Sequence, residues 1–143
     1  MSSPSAREKT LARIHRVRTL QLGLTRAEES RAQDKYHSES TLSARITQLA
    51  DAVSPVQETA AAYSLGASAH FRDRLQQSAN AAIARVQSAE LYVQRTSEAT
   101  KSAKRDQSAV EKLIARAEAD SVLRELRALE DAPTFRKIRH DPC

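Results

Sequence analysis

The sequence predicts an all-α protein, a long antiparallel two-helix coiled-coil hairpin with mobile termini. Aromatic residues make up 3% of the chain and charged residues 29%, with only two glycines and four prolines. This composition is typical of long helices joined by a narrow interface rather than of a thick apolar core. Apolar residues and alanines recur at alternating spacings of three and four, the pattern of a coiled-coil seam. Gly66 lies near the middle of the 143 residues, where one long rod can fold back on itself.

The first helical arm is predicted over residues 5–63, with two apolar runs. The first run is Val17, Leu20, Leu24 and Ala27, and the second is Leu42, Ile46, Leu49, Val53 and Val56. Each run falls on one helical face, but the two runs do not share a register, so we expect a stutter between them.

Two sites could reverse the chain. Ser54-Pro55 has the residues of a helix start, since Ser54 can cap and proline fits the first helical position. Residues 64–68, which contain Gly66, are the other site. Because a turn at 64–68 leaves two arms of nearly equal length, we predict the tip there and a kink or short interruption at 52–55.

The second arm is predicted over residues 69–131. Its stripe comprises Leu75, Ala79, Ala82, Val86, Ala89, Val93, Thr96, Thr100, Ala103, Gln107, Val110, Ile114 and Ala117. Leu123, Leu126 and Leu129 continue it in a shifted register. Pro133 disfavours helix in the residue before it, which predicts a mobile basic tail over 132–143.

The basic excess lies at the two ends of the chain. Residues 1–18 hold five basic side chains and one acid, and residues 132–143 hold three and one. A hairpin brings these ends together as one basic pole, which suits a protein partner with an acidic surface or merely aids solubility. The lack of aromatic stacking residues weighs against nucleic acid.

The sequence contains no motif of an enzyme, a cofactor site or a metal centre. There is no phosphate-binding loop, dinucleotide fingerprint or nucleophile elbow, and the four histidines lack metal-ligand spacing. Cys143 is the single cysteine, so no internal disulfide is possible. No run approaches the roughly 20 apolar residues of a membrane span. We therefore expect a cytoplasmic, non-enzymatic protein without a small-molecule substrate.

Four residues after the predicted tip form a candidate contact face. Phe71 and Leu75 stand at i and i+4, and Ser78 and Ala82 extend their row. These residues either begin the seam between the arms or anchor a partner protein, with Phe71 as the natural hot spot.

Three segments together resemble the FliJ/YscO family, the coiled-coil stalk component of flagellar and virulence type III export apparatus. Phe71-x-x-x-Leu75 follows a Gly/Ser tip and precedes Ala81-Ala82-Ile83, and the second arm reads Ala109-Val-Glu-Lys-Leu113-Ile-Ala-Arg116. Leu123-Arg-Glu-Leu-Arg127-Ala-Leu-Glu-Asp131 stands where the family has Arg-x-Glu-Gln-Lys-x-x-Asp-Glu. The chain departs from that last pattern, since Glu-Gln is missing and Pro133 ends the helix early.

The resemblance implies a non-enzymatic stalk of the flagellar type III export apparatus. Such a stalk engages a hexameric export ATPase (FliI-like) and promotes its assembly, contacts the export gate (FlhA-like) and cycles export chaperones. It would lie in the cytoplasm, peripheral to the inner membrane through its partners. The gate-contact face carried over from the family is Phe71, Leu75, Ser78 and Ala82. The residues carried over to the ATPase-facing pole are Arg13, Arg16, Arg124 and Arg127. The alternatives are a generic dimeric coiled-coil scaffold and, with less support, a basic nucleic-acid-binding helix pair.

Overall fold

Two long helices packed side by side form the molecule. The computed structural model describes residues 6–53 and 62–132. Helix α1 spans Ala6–Ala52 and helix α2 spans Ala62–Glu130. The helices run antiparallel: His15 of α1 faces Glu111 of α2, and Glu39 of α1 faces Arg85. The predicted all-helical hairpin is therefore confirmed.

The predicted tip at 64–68 is wrong, because α2 begins at Ala62 and runs through Gly66 without a break. Gly66 has an ordinary negative φ. A single glycine costs a helix only about 1 kcal/mol, which a long helix tolerates. Proline costs about 3 kcal/mol because it lacks the amide donor and its ring clashes with the preceding turn. Helix α1 ends at Ala52 and helix α2 begins at Ala62, so the other predicted site lies between the two described helices. Ser54-Pro55 itself lies outside the described residues, as do Val56 and the basic tail from Pro133 onward.

The predicted seam of α2 is confirmed from Leu75 to Ala117, but Leu123, Leu126 and Leu129, which were predicted to continue it, are 51%, 50% and 72% exposed. Every member of the stripe from Leu75 to Ala117 is buried or half-buried. Five of its most buried residues are small: Ala79, Ala82, Ala89, Thr96 and Ala117. Small residues let the two helix backbones approach closely, so the core of this molecule is a thin line rather than a layer.

The seam of α1 is not the one that its apolar pattern predicts. The side chains facing α2 are Leu11, His15, Arg18, Leu22, Thr25, Glu29, Ala32, Tyr36, Glu39, Ser43, Ile46, Ala50 and Val53. Ile46 and Val53 are confirmed as seam residues. In the first run, by contrast, Leu20 is 69% and Leu24 is 72% exposed.

A continuous register explains which face of α1 is buried. The observed seam keeps steps of three and four from Leu11 to Val53 without a stutter, so it can follow the equally regular seam of α2. If Val17, Leu20, Leu24 and Ala27 faced α2 instead, the seam of α1 would have to change register before Ile46. The polar seam residues are accommodated because they find partners: no buried side-chain nitrogen or oxygen within the described ranges lacks a hydrogen bond.

The helices differ in length, and α2 extends past α1 at the open end of the hairpin. Helix α1 has 47 residues and α2 has 69. Glu8, Leu11 and Ala12 line a groove together with Ile114, Ala117 and Ser121, which places the start of α1 beside that part of α2. Every residue from Val122 to Ala132 is exposed. We call residues 122–130 the projecting end.

Candidate interaction surfaces

The four residues predicted as a gate-contact face do not share one surface. Ala82 is 0% exposed and Leu75 is half-buried, because both lie in the seam against α1. Phe71 and Ser78 lie on the neighbouring exposed side of α2. A partner of the folded hairpin therefore cannot contact Ala82. Leu75 and Ala82 belong to the seam between the arms, which is the first of the two interpretations that the sequence allowed.

Phe71 remains available for binding. Its side chain is 53% exposed. The next residue, Arg72, is half-buried and donates from Nε to the Ser68 carbonyl oxygen over 3.2 Å. This bond keeps Arg72 along the helix. An exposed phenylalanine on a continuous helix is a rigid apolar anchor.

The four arginines predicted at the ATPase-facing pole are all exposed and all lie toward the open end. They do not form one cluster. Arg13 and Arg16 flank His15, whose Nε2 lies 3.3 Å from Oε1 of Glu111. Arg124 and Arg127 lie more than three helical turns beyond Glu111, roughly 20 Å farther along the axis at the standard rise. Only Arg124 and Arg127 belong to the projecting end.

The projecting end carries an apolar face whose leucines the sequence pattern assigned to a continuation of the seam. Val122, Leu123, Leu126 and Leu129 are between 50% and 72% exposed. Val122, Leu126 and Leu129 are spaced by four and three, and Leu123 adjoins Val122, so all four lie on one side of α2, away from the continuation of the seam. The register shift noted in the sequence was the signal for this face, since a stripe that leaves the seam register must face outward.

A second outward apolar surface lies on α1. Val17, Leu20, Leu24 and Ala27 lie on the side of α1 that faces away from α2. We call these four residues the outer stripe. The sequence found the stripe but assigned it to the seam.

Polar links between the helices hold their register. Arg18 Nη1 lies 3.0 Å from Asp106 Oδ2, and Arg85 Nε donates to Glu39 Oε2 over 3.1 Å. These pairs sit at the edges of the seam, where water screens them and each contributes little free energy. Their effect is to favour one alignment of the helices over its neighbours.

The Tyr92 hydroxyl donates to Glu28 Oε1 over 2.7 Å, a third link between the helices. This hydrogen bond, with a smaller effect of desolvation and of the Glu28 charge, raises the pKa of Tyr92 above its usual value. Elsewhere on α2, the hydrogen bond from Lys101 lowers the pKa of Glu98.

Within residues 6–53 and 62–132, no three His, Cys, Asp or Glu side chains come together as metal ligands. Over the same ranges, neither helix has an apolar stretch sufficient to cross a bilayer. The fold and its surfaces define an antiparallel coiled-coil hairpin with outward-facing apolar patches. Comparison with known proteins found no family, curated protein or solved structure that matches this chain.

Proposed function

We propose that this hairpin is a non-enzymatic stalk of a type III protein export apparatus that engages the hexameric export ATPase through its projecting end. The observation that carries the proposal is the unequal length of the helices. Within residues 6–53 and 62–132, it leaves Val122, Leu123, Leu126 and Leu129 exposed on the part of α2 that extends past the start of α1.

A single helix suits insertion into a ring better than a helix pair does. One helix with its side chains is about 10–12 Å wide, whereas the paired region is about twice as wide. The apolar face of the projecting end can dock in a groove as an amphipathic helix. Arg124 and Arg127 are interspersed with the apolar residues in sequence but lie on other sides of the helix, where they suit acidic side chains on the ring. Arg13 and Arg16 lie farther from the extremity and would meet the outer surface of the ring rather than its centre.

Phe71 is the proposed contact with the export gate, at the opposite end of the rod. The spacing of the two surfaces supports different partners at the two ends. Phe71 and Leu123 are separated along α2 by 52 residues, or roughly 80 Å at the standard helical rise. Contact with the gate would bring the protein to the inner membrane peripherally, through that partner. Cycling of export chaperones is part of the same proposal.

The ATPase assignment is tested by adding the purified chain to the cognate export ATPase and measuring ATP hydrolysis and hexamer formation. We expect stimulation of both. The variant Leu123→Ser/Leu126→Ser should lose the stimulation and keep its helicity, because both side chains are exposed. Leu91→Ser is the matched control, since Leu91 is 54% exposed on α2 in the paired region. Absence of stimulation by the unmodified chain would refute the assignment, as would equal effects of the two variants.

The gate contact is tested separately by Phe71→Ala, with Ser78→Ala as a control on the same exposed side of α2. We expect Phe71→Ala to reduce binding to the cytoplasmic part of the gate protein by about tenfold or more, as is usual for a buried aromatic anchor. Normal binding by this variant would remove Phe71 from the interface. Leu75 is unsuitable for this test because its substitution would also weaken the seam.

A further inference from the structure

The outer stripe is a compact apolar surface on α1. Its members are spaced by three, four and three residues, and together they extend about 15 Å along the helix. Leu20 and Leu24 at its centre are 69% and 72% exposed, and Val17 is 54% exposed. Singly exposed leucines are ordinary, but a contiguous row of apolar side chains indicates a contact surface.

The packing of the hairpin does not account for this row. Helix α2 contacts the other side of α1, where Leu22 is buried and Thr25 is half-buried. Leu22 lies between Leu20 and Leu24 in sequence, yet only Leu22 faces the seam. The outer stripe can therefore be changed without removing a contact between the helices.

The rim of the outer stripe is positively charged. Arg13 lies one turn before Val17, Arg16 one turn before Leu20, and Arg31 one turn after Ala27. None of these arginines forms an ion pair in the described part of the chain. The nearest acid on the rim, Glu28, already accepts the Tyr92 hydroxyl hydrogen bond.

We propose that the outer stripe docks an amphipathic helix of another protein, with apolar residues at three- and four-residue spacing and carboxylates along its edges. A partner helix about three turns long covers the stripe and packs its side chains between Val17, Leu20 and Leu24. Its carboxylates pair with Arg13, Arg16 and Arg31. The inference does not require the export proposal, which rests on the projecting end, although both assign a partner to Arg13 and Arg16.

A second copy of this chain fits the outer stripe less well. In an antiparallel pair that sets Leu20 of one copy against Leu24 of the other, Arg13 faces Arg31, while Arg16 faces Glu28, whose carboxylate already accepts the Tyr92 hydroxyl hydrogen bond. In a parallel pair Arg13 faces Arg13. Like charges directly opposite each other destabilise an interface.

A membrane surface also fits less well. Helices that lie on bilayers usually carry large aromatic or apolar anchors along the buried face, whereas the outer stripe has no aromatic residue and ends in an alanine. A duplex nucleic acid would leave the exposed leucines uncovered.

The test uses the full chain and three probes. The first is a synthetic helix with leucines at heptad a and d positions and glutamates at the flanking positions. The second has lysines in place of the glutamates, and the third is a vesicle of phosphatidylcholine and phosphatidylserine. We expect the glutamate helix to bind at least about tenfold more tightly than the lysine helix by fluorescence anisotropy, and its affinity to fall as salt rises. Equal or tighter binding of the lysine helix or of the vesicles would overturn the proposal.

Variants of exposed leucines test whether the glutamate helix binds to the outer stripe. Leu20→Ser/Leu24→Ser should weaken binding of the glutamate helix by about tenfold or more. Leu91→Ser, exposed on the outside of α2, should leave it unchanged. Circular dichroism checks that each variant keeps the helicity of the parent. Unchanged binding by the double variant would overturn the proposal.

A charge variant keeps the test valid if the serine variant loses helicity. Arg13→Gln/Arg16→Gln should reduce the affinity several-fold and flatten its dependence on salt. Arg45→Gln/Arg74→Gln is the matched control, because both arginines are exposed and distant from the stripe. Equal effects of the two pairs would overturn the proposal. So would sedimentation of the parent chain as a dimer that Leu20→Ser dissociates, since the occupant would then be a second copy.

Discussion

Leu22→Ala and Leu24→Ala should have very different effects on stability, although the two leucines are separated by one residue. Leu22 is 4% exposed in the seam, whereas Leu24 is 72% exposed on the outer stripe. The neighbours and intrinsic helix preference are nearly the same for both substitutions, so the difference reports which face of α1 packs against α2.

The magnitude follows from the buried carbon that is removed. Leucine to alanine deletes three carbons, and each buried carbon contributes about 0.8 kcal/mol. The loss at Leu22 is therefore about 2–3 kcal/mol, near the lower end for buried leucines because a thin seam can close over part of the cavity. The slightly better helix propensity of alanine offsets a few tenths of a kcal/mol. At Leu24 the same change should cost less than about 0.5 kcal/mol.

Urea unfolding followed by circular dichroism at 222 nm measures the loss of unfolding free energy in each variant. Thermal unfolding followed at the same wavelength measures the change in midpoint. We expect Leu22→Ala to lower the midpoint of thermal unfolding by roughly 10 °C, a shift typical of this loss in a chain of this size, and Leu24→Ala to leave it nearly unchanged. A larger loss at Leu24 than at Leu22 would show that Val17, Leu20, Leu24 and Ala27 form the seam, as the sequence pattern predicts. The observed packing of α1, and the outer stripe with it, would then be wrong.

Three further changes test the fold at other places. Gly66→Ala should stabilise the protein by about 0.5–1 kcal/mol, because Gly66 is helical and an added Cβ meets no atom within 4 Å; destabilisation, measured by urea unfolding, would place the turn there. A double-mutant cycle on Arg18 and Asp106 should give a coupling energy below about 1 kcal/mol that declines with added salt, and a larger value would mean that the pair is shielded from water. Tyr92 should ionise at higher pH than free tyrosine in a spectrophotometric titration, and Glu28→Gln should bring its pKa back toward the usual value. The hydrogen bond of the neutral Tyr92 hydroxyl should stabilise the protein below the ordinary tyrosine pKa, and this stabilisation should be lost as pH rises through the raised pKa. A titration of Tyr92 that Glu28→Gln leaves unchanged would exclude this hydrogen bond as the cause of the raised pKa.

The seam of α2 could be predicted from the sequence because its apolar and small residues occupy a single unbroken register. From Leu75 to Ala117 the pattern offers no competing face of similar quality. The carboxyl end of this helix could also be predicted, because Pro133 disfavours helix in the residue before it and α2 ends at Glu130.

The seam of α1 could not be predicted, because apolar content and register favour different faces. Leu20 and Leu24 make the outer face richer in large apolar side chains, but that face does not continue to Ile46 and Val53. Pairing with a partner of constant register selected the continuous face, even though it includes His15, Arg18 and other polar residues. The cost is small because His15 and Arg18 reach Glu111 and Asp106 at the edge of the seam, and Glu39 accepts from Arg85.

The place of the reversal was predicted wrongly because equal arm lengths favour residues 64–68, whereas the chemistry of proline favours Ser54-Pro55. Helix α2 is continuous through Gly66, so equal arm length was the wrong guide. The helices are in fact unequal, and the inequality produces the projecting end. The sequence pattern nevertheless predicted that Arg13, Arg16, Arg124 and Arg127 lie toward one end of the hairpin, as they do. It could not separate them along the axis without knowing where α1 begins to face α2.

Many of the large apolar side chains in this molecule lie outside the packed seam. The seam is built mainly from alanines and polar residues of modest burial, whereas the outer stripe and the projecting end hold many of the exposed leucines. A side chain that contributes nothing to packing can change without unfolding the protein, so partner contacts at these surfaces can be altered independently of the hairpin. Conversely, each layer of this thin seam contributes little to the free energy of unfolding. The stability of the hairpin therefore depends on the length over which a constant register is kept. A one-residue insertion in the middle of α1 would rotate every later seam residue out of register, and should therefore destabilise the hairpin more than any single substitution on either outward surface.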